Sequence, residues 1–246
     1  MAMFTPGGAE PTEPMPVLLD PYGGPHWGRV VRAQRPLLES QWLADQGFVV
    51  LVIDGRGTPY RGVAWDQSVH HSYVDVALED QVDGLLAVAE RFPFLDRSRV
   101  AMRGWSYGGF LTLAALLRRP DVFHAGISGA PVTDMRLYDT HYTERYLGMP
   151  DTDADAYANA DLIADAAKLR GELLLIHGLA DDNVFVAHSL RMTKALMEAG
   201  RRHAMIPLSG VTHRPVDPAA AEAMLGIEVE FLHRALGAPG GGDPPG

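Results

Sequence analysis

The stretch "RVAMRGWSYGGF", Arg99 to Phe110, decides the fold. Its lead-in, Arg99 to Arg103, reads as a buried strand. Gly104-Trp105-Ser106-Tyr107-Gly108 follows, and a helix-period run starts at Phe110. A serine between two glycines at a strand-to-helix junction is the context that a nucleophile elbow needs. The turn is so sharp that the flanking positions nearly touch neighbouring backbone, and glycine at both relieves the clash. The serine is left strained, with its oxygen above the carboxyl end of a sheet. A glycine-rich β-α turn with an incidental serine is the competing reading.

Outward from this stretch, short apolar runs alternate with longer helix-period segments. Val17 to Leu19, Phe48 to Asp54, Ala125 to Ser128, Leu173 to His177 and Ala204 to Leu208 read as further strands. Unbroken apolar runs, without in/out alternation, suit a sheet covered on both faces. Helices are expected over Pro36–Gln46, Val74–Arg91, Phe110–Arg118, Val186–Ala199 and Pro218–Leu236. In the second, Val74, Leu78, Val82, Leu85 and Val88 make one apolar stripe. Strand-helix alternation of this kind means parallel βαβ units, hence an α/β fold with a mostly parallel sheet. Residues 131–160 break the pattern and read as an excursion above the sheet.

Composition excludes several classes of function. The 246 residues fit one large α/β domain, and an apolar fraction of 47% supports a sizeable core. A net charge of −10 gives no electrostatic reason to bind nucleic acid or anionic lipid. With no cysteine, a disulfide framework, a thiol nucleophile and cysteine-ligated zinc are excluded. The first sixteen residues lack the pattern of a signal peptide, and no apolar run approaches membrane-spanning length. A soluble, cytoplasmic protein is the expectation.

A serine hydroxyl needs a base to take its proton and an acid to orient that base. The order expected on this fold is serine, acid, histidine. Downstream, "LLLIHGLADDNV" runs a strand into a loop carrying Asp181 and Asp182, and "AMIPLSGVTHRP" runs the last strand into a loop carrying His213. Of the ten histidines, only His213 follows the last strand and precedes the last helix. His177 is also at a strand end, but it precedes the acid and is expected to support a loop. Asp181 is preferred to Asp182, although spacing barely separates them. A second oxyanion donor is expected after the first parallel strand, where "VLLDPYGGPHWG" carries Tyr22.

These residues resemble the dipeptidyl peptidase IV branch of the prolyl oligopeptidase family of serine peptidases. The resemblance runs from about Val17 to the last helix. It is carried by "DGRG" (Asp54 to Gly57), "GWSYGG" (Gly104 to Gly109), "YDTHYTERYLG" (Tyr138 to Gly148) and "HGLADDNV" (His177 to Val184). It implies an α/β-hydrolase fold with Ser106, Asp181 and His213 as the triad, and so independently favours Asp181. It also implies Tyr22 and the Tyr107 N–H as the oxyanion hole. Tyr107, Val132, Tyr138 and Tyr142 match a pocket wall for proline or another small residue, with Trp105 behind it, and Asn183 matches a side chain that holds a substrate carbonyl. Met135 stands where the branch often has a pocket tryptophan, and Arg214 where glycine is common after the base.

Family members carry a β-propeller ahead of the hydrolase domain, and no such region is present in these 246 residues. The expectation is therefore a catalytic domain over residues 17–237, missing its first strands. A flexible N-terminal remnant (residues 1–16) would precede it and a disordered tail (238–246) would follow. The expected function is a serine peptidase that cleaves after proline or alanine by acyl transfer, with no metal or organic cofactor. A general serine esterase or amidase, an acylaminoacyl peptidase, and a truncated non-catalytic family member are the alternatives. Expected partners are a peptide or small acyl substrate, and a second copy of the chain, because relatives often dimerise through this domain.

Overall fold

A computed structural model describes residues 1–237 of the chain. The expected disorder of 238–246 lies outside the described residues. Seven strands form one sheet: β1 (Ala2–Phe4), β2 (Met15–Leu19), β3 (Val49–Val52), β4 (Leu95–Trp105), β5 (Ala125–Gly129), β6 (Glu172–Gly178) and β7 (Ala204–Leu208). Their spatial order is β1-β3-β2-β4-β5-β6-β7. Every pairing is parallel except β1 with β3. Residues 2–4 fall within the segment expected to be a flexible remnant, yet they pair antiparallel with residues 50–52 at the sheet edge.

The helices are α1 (Leu38–Asp45), α2 (Val63–Asp66), α3 (Asp75–Arg91), α4 (Tyr107–Arg118), α5 (Thr140–Leu147), α6 (Ala154–Asn159), α7 (Ala187–Glu198) and α8 (Pro218–Leu236). Burial on both faces splits each strand between two cores. Val17, Leu19, Val49 and Leu51 pack with Leu78, Val82 and Leu85 of α3 and with Leu111 of α4. Leu18 and Val50 pack the other way, with Leu43 of α1 and Val229 and Leu232 of α8. Alternate side chains of a strand point to opposite faces, so one apolar run serves both layers. Residues 131–160 carry α5 and α6 above the sheet, as the broken pattern suggested.

Local chemistry fixes the helix ends nearest the site. The Asp217 carboxylate accepts the Ala220 N–H at 2.9 Å, Pro218 opens α8, and Gly237 closes it in the left-handed conformation. The Asp139 carboxylate accepts the Tyr142 N–H at 2.8 Å at the start of α5. Helix α4 starts at Tyr107, three residues before the apolar periodicity announces it. Two glycines sit in that first turn because α4 lies against its neighbours there. A Cβ on Gly109 would collide with the Gly129 carbonyl, and one on Gly108 would lie 2.8 Å from the Pro21 carbonyl oxygen. Among the described residues, no helix is long and apolar enough to cross a membrane.

Candidate active site

Ser106 occupies the junction between β4 and α4 with φ +59° and ψ −117°, a backbone conformation that costs a non-glycine residue energy. Two hydrogen bonds hold it there: its N–H donates to the Gly129 carbonyl at 2.8 Å, and its carbonyl accepts the Phe110 N–H at 2.9 Å. A Cβ on Gly104 would strike the backbone of Gly108, so the flanking glycine is a steric requirement of this turn. Tyr107 is the first residue of α4, and its N–H has no carbonyl one turn earlier to accept it. That amide and the helix dipole supply positive potential beside Ser106.

The loops after β6 and β7 bring an acid and a histidine together. His213 Nδ1 lies 2.8 Å from Asp181 Oδ2. The other carboxylate oxygen, Oδ1, accepts the N–H groups of Asn183 and Val184, each at 2.9 Å. Asp181 is buried and Asp182 exposed, a distinction that spacing left open. Behind them His177 is fully buried. Its Nε2 donates to the Val184 carbonyl at 2.8 Å, and its Nδ1 accepts the Ser189 hydroxyl at 2.7 Å. Burial holds this imidazole below its ordinary pKa, and so neutral. It braces the loop that carries Asp181, whose carboxylate oxygen is 3.4 Å from Nε2.

Ser106 and His213 share a cavity of about 820 Å³ with Tyr22, Tyr107, Val132, Met135, Tyr138, Tyr142 and Asn183. One wall is aromatic and locked. Tyr107 donates its phenol to the Tyr73 carbonyl at 2.6 Å, and Tyr73 donates to the Tyr142 hydroxyl at 2.6 Å. The Tyr107 phenol is therefore committed to the scaffold, while its ring lines the cavity. Tyr138 donates to Asn183 Oδ1 at 3.1 Å, which leaves the Asn183 amide N–H groups to face a ligand. Tyr22 lies with its ring 5.8 Å from that of Tyr107. Burial, with Tyr138 nearby, pushes its phenol up to about 12, so it stays a hydrogen-bond donor at neutral pH.

Trp105 lines the cavity with Ser106 but is not behind the aromatic wall. It belongs to the core on the α8 side of the sheet, and its indole N–H donates to the His213 carbonyl at 2.6 Å. Adjacent strand residues face opposite ways, so Trp105 and its neighbours in the elbow serve different layers. Its role there is to tether the histidine loop, and the Arg214 guanidinium lies 5.7 Å above its ring.

The opposite wall is charged and was not legible as a site. Arg103 donates to Glu228 at 2.5 Å and Glu39 at 2.6 Å, and lies 3.3 Å from Asp20. Arg29 pairs with Asp20 at 2.8 Å, and the Ser40 hydroxyl donates to the same carboxylate at 2.9 Å. Burial alone would raise the Asp20 carboxyl, but the Arg29 and Arg103 charges hold it below the ordinary value. Glu228 goes the other way, because burial outweighs its single arginine. The partners of Arg103 lie 64 to 125 residues from it in sequence, so no local pattern announces them.

A model described as the prolyl oligopeptidase family matches residues 35–239. Dipeptidyl peptidase 8 of Homo sapiens is 39% identical over 204 residues, covering 81% of this chain and 23% of that protein. Dipeptidyl peptidase 4 of Sus scrofa is 34% identical over 201 residues, covering 80% and 26%. The crystal structure of Porphyromonas gingivalis dipeptidyl peptidase 4 superposes with a TM-score of 0.89 at 33% identity, covering 95% of this chain and 33% of that one. The chain thus spans about a quarter of the length of the curated relatives it matches.

Proposed function

We propose that this chain, which belongs to the prolyl oligopeptidase family, is a serine peptidase domain that cleaves peptide bonds by acyl transfer. Ser106 attacks the scissile carbonyl while His213 takes its proton through Nε2. Asp181 holds the imidazole by Nδ1 and stabilises the imidazolium that forms. The Tyr107 N–H and the Tyr22 phenol donate to the tetrahedral oxyanion, a kind of contact worth about 3 kcal/mol per donor in other enzymes. His213 then protonates the leaving amine, and water repeats the cycle on the acyl-enzyme.

The observation that carries this reading is the 2.8 Å contact between His213 and Asp181. It commits Nδ1 to the acid and leaves Nε2 for a serine that lines the same cavity. The aromatic wall of Tyr138, Tyr142, Val132 and Met135 supports a small apolar residue, proline or alanine, before the scissile bond. Relatives named dipeptidyl peptidases support the same substrate class. Asn183 would hold a substrate carbonyl through its free amide N–H groups.

A fluorophosphonate probe tests the nucleophile. The native chain should be labelled, and Ser106→Ala should abolish labelling. Labelling that persists at another residue would overturn the assignment. Parallel assays with a Gly-Pro anilide, an N-acetylated alanyl anilide and a short nitrophenyl ester separate dipeptidyl peptidase from acylaminoacyl peptidase and general esterase activity.

A further inference from the structure

His213 is followed by Arg214, and that guanidinium is in an unusual position. It lines the cavity that holds Ser106. It lies over the Trp105 ring at 5.7 Å. Among the described residues it makes no ion pair and no hydrogen bond. The other two arginines deep in the charged wall are saturated: Arg103 by Glu228, Glu39 and Asp20, and Arg29 by Asp20 and Ser40. Arg35, an exposed residue, also lines the cavity and has no carboxylate partner among the described residues. Asp20, Glu39 and Glu228 are the carboxylates of that lining, set against Arg29, Arg35, Arg103 and Arg214. One positive charge is left over, and burial pushing Glu228 up does nothing to reduce it.

The position of this charge along a bound substrate follows from the two walls. The aromatic wall comes from residues 132–142 together with Tyr73, and it suits the acyl side of the scissile bond. Arg214 lies over Trp105, which packs in the core on the α8 side of the sheet and bonds the His213 carbonyl, whereas the aromatic wall packs with the other core. His213 delivers its proton to the leaving amine, so the groups beyond it face the leaving part of the substrate. Resting on the peptidase reading above, we infer that Arg214 forms a carboxylate-binding subsite on the leaving-group side. It selects substrates whose leaving part is short and ends in a free carboxylate within reach of the guanidinium. A guanidinium with no protein partner, lying over an indole ring, keeps its N–H donors free for such a group.

The test compares Gly-Pro-Ala with its C-terminal amide, two peptides that differ only in the carboxylate. Binding is measured by calorimetry on the Ser106→Ala chain, and cleavage on the native chain. The free acid should bind about tenfold tighter than the amide, as expected for one charge-assisted hydrogen bond that stays partly solvated. Arg214→Gln in the same background should bring the acid-to-amide ratio to about one, and Arg214→Lys should keep part of it. Because the readout is a ratio, a general disturbance of the histidine loop does not mimic the result. Equal binding of acid and amide, an undetectable affinity for the acid, or a preference that survives Arg214→Gln would overturn the inference. An unlabelled Ser106 with acid-selective binding intact would instead overturn the peptidase reading and leave the carboxylate subsite standing.

Discussion

The two walls of the cavity are built on opposite principles. The aromatic wall is neutral and assembled mainly from neighbours in sequence, Val132 to Tyr142, with Tyr73 and Tyr107 behind them. Its hydroxyls are tied to a carbonyl, to another phenol and to Asn183, and its rings line the cavity. The charged wall is gathered from β4, α1, α8 and the loop after β2, and its carboxylates and guanidiniums bond mainly to each other. The first arrangement suits recognition, because apolar rings bind a small residue without losing partners of their own. The second suits cohesion, because a buried ion pair is expensive to break from one side.

That contrast assigns stability to one wall and rate to the other. Arg103→Met should destabilise the chain by about 3–5 kcal/mol, since Glu228, 1% exposed, is left buried without its guanidinium. Chemical denaturation measures this, and adding Glu228→Leu should recover much of the loss. The remaining acid sensitivity is a second readout. The Asp20 carboxyl is held below its unfolded value, so its contribution is full above that value and lost as pH falls through the folded one. Removing Arg103 should shrink this contribution.

On the aromatic side, Tyr22→Phe should leave the unfolding midpoint nearly unchanged and lower kcat by roughly 10²–10³, through loss of one oxyanion donor. A large fall in stability with little change in kcat would reverse the division proposed for the walls. Smaller still is Tyr73→Phe, which removes the hydroxyl that donates to Tyr142. It should cost about 1 kcal/mol of stability and show mainly as a raised KM for a prolyl substrate, measured by steady-state kinetics.

How much of this was legible in the sequence depended on how local each signal is. The elbow at Ser106 announces itself because steric need and residue type coincide within five positions. The last helix was placed at its observed limits, where Asp217, Pro218 and Gly237 cap it. The strand Ala2–Phe4 escaped notice because three residues beside Pro6, Gly7 and Gly8 carry no period to detect. The contact between His213 and Asp181, in preference to Asp182, depends on how the loop turns, and that turn is set by backbone N–H groups that spacing does not encode. Trp105 lines the cavity, but it was expected behind the aromatic wall because its neighbours belong to the site, while strand geometry packs it into the other core. The cluster around Arg103 carried no signal, since Asp20, Glu39 and Glu228 reach it from 64 to 125 residues away.

One guanidinium at the centre of the sheet joins three parts of the chain. Arg103 on β4 is held to Asp20 after the first parallel strand, to Glu39 in α1 and to Glu228 in α8. Terminal helices of open sheets commonly fray, with amides that exchange through local opening. Here lifting α8 would break the Arg103–Glu228 ion pair and expose Val229 and Leu232, so local opening there costs more than fraying of an unpaired end. Amide exchange around Glu228 should therefore be slower than at the C-terminal end of α8, and Glu228→Gln should narrow that difference.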